Sequence, residues 1–337
     1  MGVLLAFVGA LAFSFMNVFV RRAAKPGDAD SGVLTTMLIN LAAYVLLLGG
    51  VWLAGGVRPL NAGGVAWFVA AGFSATFLGR QTLFGGIRLL GAARAAAIKN
   101  ATPLVTLAIA LLILGERLSP LAGAGVLLVL AGLAALVLES LQHATRPPVD
   151  GRDDPLADAL SGEALAEAGL RERTRLLADR TVAMLSEPSR RALLFGVVLS
   201  AIAALAFGTG HAFRKLGMDL LPDAILGATI GTTTALLAFL LAAAVRGQAA
   251  DALRSAVRAH RPYIWAAGVA GTIGQLSFFI ALAFAPVSHV SVVAGSETVL
   301  TVILAALIAR RVEVITRRVV IPAGFVFAGT ALIAVGR

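Results

Sequence analysis

The chain has 337 residues, 59% of them hydrophobic and only 14% charged, with a mean hydropathy of +0.91 and a formal net charge of +10. Soluble globular chains are nearer half apolar and a quarter charged, so lipid must be the solvent for most of this one. The basic residues stand singly or in pairs at the ends of apolar runs, which excludes a nucleic-acid surface and reads as membrane orientation.

A spanning helix needs about 20 mostly apolar residues. Ten segments qualify: 2–20, 33–54, 64–87, 92–114, 120–138, 192–214, 223–245, 262–284, 287–309 and 318–336. The first lacks a basic n-region and a small-x-small cleavage site and runs into Arg21-Arg22, so it reads as a membrane helix and not a signal peptide. Ser119-Pro120 supplies an N-cap followed by Pro at the first helical position, and Pro222-Asp223 caps the seventh span. Very short links, as between the third and fourth spans, force antiparallel neighbours to pack together.

The pattern breaks at residues 139–191, which hold ten of the eighteen acidic residues, eight arginines and Pro147-Pro148. This segment reads as a water-exposed linker. Its stretch from about Pro155 to Leu185 has the composition of a surface helix, with too little apolar content for a separate domain.

The two sides of the linker repeat. Leu11-Ala12-Phe13 with Phe19 and Arg21 aligns with Leu205-Ala206-Phe207 with Phe213 and Lys215. Gly79 aligns with Gly274 and Phe84 with Phe279; Glu116-Arg117-Leu118-Ser119 matches Glu313-Val314-Ile315-Thr316, and Ala131-Gly132 matches Ala328-Gly329. The expected organisation is a first five-helix repeat over 1–138, the polar linker over 139–191 and a second five-helix repeat over 192–337. The fold class is an all-α integral membrane protein of ten transmembrane helices as two inverted five-helix repeats. An odd number of helices per repeat turns the second half upside down, and inverted repeats provide two near-equivalent arrangements open to opposite sides.

With these features the chain resembles the EamA-like branch of the drug/metabolite transporter superfamily. The resemblance rests on two five-helix repeats, on Pro103 early in the fourth helix, and on the Leu114-Gly115-Glu116-Arg117-Leu118 junction leading into a helix with Gly125 and Gly132. In the second half Thr298 stands in place of the Pro, Arg310-Arg311 precede the glutamate, and Pro322 stands at the first glycine position. The resemblance implies export or exchange of amino acids, related metabolites or drugs. It also implies a central cavity lined by the first, third and fourth helices of each half.

An ionisable group in hydrocarbon costs about 2.5–3.5 kcal/mol on insertion scales, so the deep polar residues are the candidate site. Glu297 lies near the middle of the ninth span, too short to snorkel; it reads either as a neutral hydrogen-bonded carboxyl or as a proton-coupling group. Arg80 and Lys99 lie about 6 Å from their span centres at 1.5 Å per residue, too deep for their stems to lift the charge fully clear. Lys99, Pro103 and Thr106 share one helical face. Gln81, Asn100, Gln275 and Ser291 read as interhelical hydrogen-bonding groups or substrate contacts. Asn17 and His211 occupy equivalent positions near the ends of the first helices of the two halves. Glu116 and Glu313, at interfaces, read as helix caps.

Two deep cations and one deep anion suit a small polar or zwitterionic metabolite, amino acids foremost. Secondary active transport by alternating access, proton-coupled through Glu297, is the expected function. Lipophilic cations, drugs or lipid-linked sugars are alternative cargoes, and a sensor using the insert is the alternative of another class. No HExxH, GxSxG or P-loop pattern appears, so neither enzyme chemistry nor a nucleotide is expected. Without cysteine, thiolate metal sites are excluded, and no cofactor or metal is expected. The partners are a small-molecule substrate and the lipid bilayer of a cytoplasmic (inner) membrane, with the protein a monomer or homodimer. Arg and Lys crowd the odd-numbered connections, which puts both termini outside and the insert in the cytoplasm; the resemblance implies the opposite.

Overall fold

The structure, a computed structural model, describes residues 1–23, 29–56, 59–90, 95, 98–145, 190–258, 262–309 and 317–336. Residues 146–189 of the linker, with the expected surface helix, and the Glu313–Thr316 junction lie outside the described residues.

All regular structure among the described residues is helical. The first half holds α1 (Gly2–Ala23), α2 (Ala29–Leu53), α3 (Ala62–Ala71) continuing through a π-helical stretch (Gly72–Leu78) into α4 (Gly79–Leu90), α5 (Thr102–Leu112) and α6 (Pro120–Thr145). Beyond the linker come α7 (Arg190–Leu220), α8 (Ala224–Val245), α9 (Ala249–Arg258), α10 (Pro262–Phe284), α11 (Val287–Ala294), α12 (Glu297–Ala309) and α13 (Arg317–Val335). The caps fall where the sequence puts them. The Ser119 hydroxyl accepts from Ala122 N at 3.1 Å and the Asp223 carboxylate from Leu226 N at 2.9 Å, each satisfying a backbone N–H that the helix leaves open.

Six helices are long and apolar enough to cross a membrane by length and composition: Gly2–Val20, Leu34–Leu53, Ala62–Ile87, Arg191–Leu220, Ala224–Val245 and Pro262–Phe284. Within the fourth, fifth and tenth expected spans stand shorter apolar helices, Thr102–Leu112, Pro120–Ala135 and Gly324–Val335. The ninth differs from expectation: it is broken by a turn at Gly295-Ser296 into α11 and α12. The sixth also differs, running on to Leu220 instead of stopping at residue 214. The connection between the seventh and eighth spans contains the short amphipathic α9, whose Ala256 packs with Leu34 and Leu236.

Small residues set which helices meet. Gly2 faces Ala285 and Gly9 faces Gly274, so α1 runs antiparallel to α10. Gly64 faces Leu221, Gly79 faces Phe207 and Gly86 faces Ser200, so α7 runs antiparallel to the α3–α4 rod. Gly125 lies against Gly329 and Gly132 against Pro322, so α6 and α13 are antiparallel too. Glycine lets the backbones approach closely, which is how helices associate where lipid removes the hydrophobic drive. The outer faces carry Leu46, Trp52, Leu112, Leu237, Val245 and Val335, all exposed. Such a continuous apolar belt is what a lipid solvent wets.

The core lies around α11, in which every residue from Val287 to Val293 is buried. The start of α11 is held from the other half: the Glu116 carboxylate accepts from Val287 N at 2.8 Å and from Ser288 N at 3.0 Å. This is the capping role expected of Glu116. An anion at a helix N-terminus satisfies open N–H groups and complements the helix dipole. Glu116→Ala is expected to lower stability by about 1–2 kcal/mol, read as a lower unfolding midpoint in detergent, with Glu116→Gln intermediate because it keeps one acceptor.

Candidate functional site

Two interrupted helices meet at the centre of the molecule. In the first half, helix precedes a turn at Asn100-Ala101, and Pro103 then opens α5. In the second half, Gly295-Ser296 breaks the path between α11 and α12. A Cβ on Gly295 would lie 3.1 Å from Pro103 Cγ and 3.1 Å from Leu133 Cδ1, so glycine permits the two breaks to touch. The Thr298 hydroxyl donates to Asn100 Oδ1 at 3.0 Å across that contact. Non-helical backbone at membrane depth is tolerated where it is buried in protein or lines a cavity.

Here it lines one. A cavity of about 330 Å³ is bounded by Phe13, Met16 and Asn17 of α1, Arg80, Leu83 and Phe84 of α4, Phe207, His211 and Arg214 of α7, and Gln275 and Phe278 of α10. Lys99, Asn100, Thr102, Pro103, Ser291, Gly295, Glu297 and Thr298 complete the wall at the two breaks. The volume lies at the small end of the range for ligand pockets, which is about 300–1,000 Å³. Eight of the nine residues singled out from sequence therefore line one cavity. Gln81 is not among its lining residues, because its neighbour Arg80 takes the inward direction and consecutive helical residues point about 100° apart.

Glu297 is the first residue of α12 and does not sit mid-helix as expected. Asn17 Nδ2 donates to its Oε1 at 2.7 Å. The Ser14 hydroxyl, 2.9 Å from Glu297 O and 2.7 Å from Ala10 O, donates to one of them at a time. A helix N-terminus is a favourable place for negative charge, and Glu297 stands at one.

Three cations share the cavity with it. Arg80 follows the π-helical stretch by two residues; there Gly79 N–H bonds back five residues to Ser74 O, and the extra residue per turn rotates everything after it. Lys99 Nζ lies 5.5 Å from the centre of the Phe207 ring. Arg214 is 9% exposed and lies over two rings, 5.5 Å from Phe278 and 5.4 Å from Phe279. Besides His211, the described ionisable lining is thus Arg80, Lys99 and Arg214 against Glu297, so basic groups outnumber acidic ones.

The remaining polar residues are partly engaged with each other. His211 Nδ1 lies 3.2 Å from Ser291 Oγ, and its ring packs 4.7 Å from Phe278. Gln275 Nε2 donates to Thr232 Oγ1 at 3.2 Å. Thr106 Oγ1 lies 3.2 Å from Thr102 O and 3.3 Å from Gly208 O, tying α5 to α7.

Arg214 was not singled out from the sequence, which put it at the end of the 192–214 span. The signal was present. Leu216, Met218, Leu220 and Leu221 continue the apolar run beyond it, and the Asp223 cap marks where the next helix starts, so α7 extends past Arg214.

Comparison with known proteins matches the chain to the EamA-like transporter family over residues 1–138 and 194–335. No curated protein sequence matches it. A solved structure described only as the crystal structure of a protein superposes with a TM-score of 0.63 at 16% identity, covering 99% of this chain and 96% of that one. At that identity the likeness concerns the fold alone.

Proposed function

The chain belongs to the EamA-like transporter family, and from that premise we propose that it carries small zwitterionic or anionic metabolites, amino acids foremost, by alternating access through the central cavity. The protein is a multi-pass membrane transporter of the drug/metabolite type. The observation that carries the finer reading is the convergence of Arg80, Lys99, Arg214 and Glu297 on one cavity at the meeting of two broken helices. Cations there receive a carboxylate, and Glu297 receives an ammonium in exchange for Asn17. A net positive lining disfavours lipophilic cations.

Two five-helix repeats of opposite orientation, ten spans in all, form the scaffold in this reading, with the interrupted ninth counted as one. The antiparallel runs of α6 with α13, α1 with α10, and α7 with α3–α4 support it, because the first, third and fifth helices of one inverted half must point opposite to those of the other. Exchanging the conformations of the halves would open the same cavity to the other side. Glu297 couples this exchange to protons.

The test is transport by the purified protein in proteoliposomes, with labelled amino acids set against a lipophilic cation and a neutral sugar. Amino acids are expected to move. Transport of the cation or sugar alone would overturn the reading. Lys99→Gln is expected to raise the KM for amino acids about tenfold, the equivalent of 1.4 kcal/mol, with the exchange rate at saturation little changed. A C-terminal reporter active only outside the cytoplasm tests the charge-derived orientation. The long α7 strengthens that orientation, since it moves Arg214 from a connection into the protein interior.

A further inference from the structure

Arg214 is the buried charge that the reading above leaves without a specific task. Its side chain is nine-tenths buried, lines the cavity, and rests on the faces of Phe278 and Phe279. Aromatic faces attract a guanidinium but leave its N–H donors without acceptors. Among the described residues neither Arg214 nor Arg80 has a carboxylate within ion-pair distance; the ion pairs there join Lys215 to Asp219 and Arg254 to Asp251. Arg80 and Arg214 line the same cavity from α4 and α7, which pack against each other.

A buried cation without a carboxylate partner, sharing its cavity with a second arginine, is a costly arrangement. It becomes favourable when an anion enters, and guanidinium is the side chain suited to bidentate capture of a carboxylate or phosphoryl group. Glu297 does not fill the role. It belongs to α12 and accepts from Asn17.

We infer that Arg80 and Arg214 form a paired anion site, so that the cavity selects metabolites carrying a second anionic group beside the amino-acid carboxylate and ammonium. The inference rests on the proposed transport of zwitterionic or anionic metabolites and narrows it. The second group is a carboxylate or a phosphoryl group; both present oxygens to a guanidinium fork in the same way.

Near-isosteric substrate pairs separate the sources. Proteoliposomes holding the full-length protein are assayed for exchange of glutamate against glutamine and of phosphoserine against serine. The wild-type protein is expected to prefer the more anionic member of one pair by tenfold or more. Preference within the first pair identifies a carboxylate, and within the second a phosphoryl group. In R214M, where a flexible apolar chain still packs on the two rings, the ratio is expected to fall to about one, with the melting temperature unchanged or raised because a buried charge has gone. In R214K a reduced preference remains.

Equal exchange of glutamine and glutamate, and of serine and phosphoserine, by the wild-type protein overturns the paired anion site while leaving amino-acid transport standing. Exchange of none of the four overturns both. An R214M protein that keeps the wild-type ratio, or that no longer elutes as a folded species, assigns Arg214 to structure and likewise overturns the inference.

Discussion

Glu297→Gln is expected to abolish gradient-driven transport while leaving substrate exchange and the fold in place. Glutamine has nearly the same shape, and its side-chain oxygen accepts from Asn17 Nδ2 as the carboxylate does at 2.7 Å. The backbone contact of Glu297 O with the Ser14 hydroxyl is untouched. What disappears is the one carboxyl among the described cavity residues, and with it a site that binds and releases a proton during the cycle. Uphill accumulation of amino acid in proteoliposomes with an imposed pH difference should fall to background. Exchange of internal for external substrate, which needs no net proton movement, should persist with weakened affinity for the ammonium end. Wild-type accumulation in the variant would remove Glu297 from the coupling step. Loss of exchange as well, with an unchanged melting temperature, would make it a binding residue only.

Gly72→Val is expected to have the largest effect on stability. Gly72 opens the π-helical stretch and packs directly on the backbone of α8. A Cβ there would fall against the Gly231 carbonyl oxygen and 2.7 Å from Gly231 Cα, so no side-chain movement can relieve the contact. Overpacking typically costs 1–3 kcal/mol even where side chains give way; here a whole helix must shift, and about 3 kcal/mol or more is expected. The shift would also disturb the π-helical phase that aims Arg80 into the cavity two residues beyond it. Thermal unfolding in detergent should show a lower midpoint, and the surviving folded protein should exchange substrate poorly. A midpoint within a degree of wild type would mean that α8 can retreat without cost. Gly123, by contrast, has nothing within 4 Å of its Cβ position, so Gly123→Ala serves as the silent control.

Much of the architecture was legible because membrane helices follow two local rules: length in apolar residues and capping at the ends. Ser119 and Asp223 cap as expected, and Glu116 holds a helix N-terminus. The deep polar residues were legible as a group, since charge in hydrocarbon needs a reason. Eight of them line a single cavity. The errors share a cause. Hydropathy measures depth along a helix, whereas a cavity is a relation between helices. Arg214 therefore stood at the end of a span and outside the deep set, Gln81 was grouped with Asn100, Gln275 and Ser291 although it does not line the cavity as they do, and the ninth span looked continuous across Gly295-Ser296.

The sequence alone determined that the chain lives in lipid, that Ser119 and Asp223 cap helices, and which polar residues lie deep in apolar segments. These are properties of single segments against their solvent, set by transfer free energy and backbone capping. The tertiary structure alone decided which helices meet, and hence that Arg80, Lys99, Arg214 and Glu297 share one space. That outcome depends on glycine contacts such as Gly72 with Gly231 and Gly125 with Gly329, on a π-helical turn that resets the facing of Arg80, and on two breaks that touch at Pro103 and Gly295. Each is a steric fit between distant segments, which local periodicity does not encode.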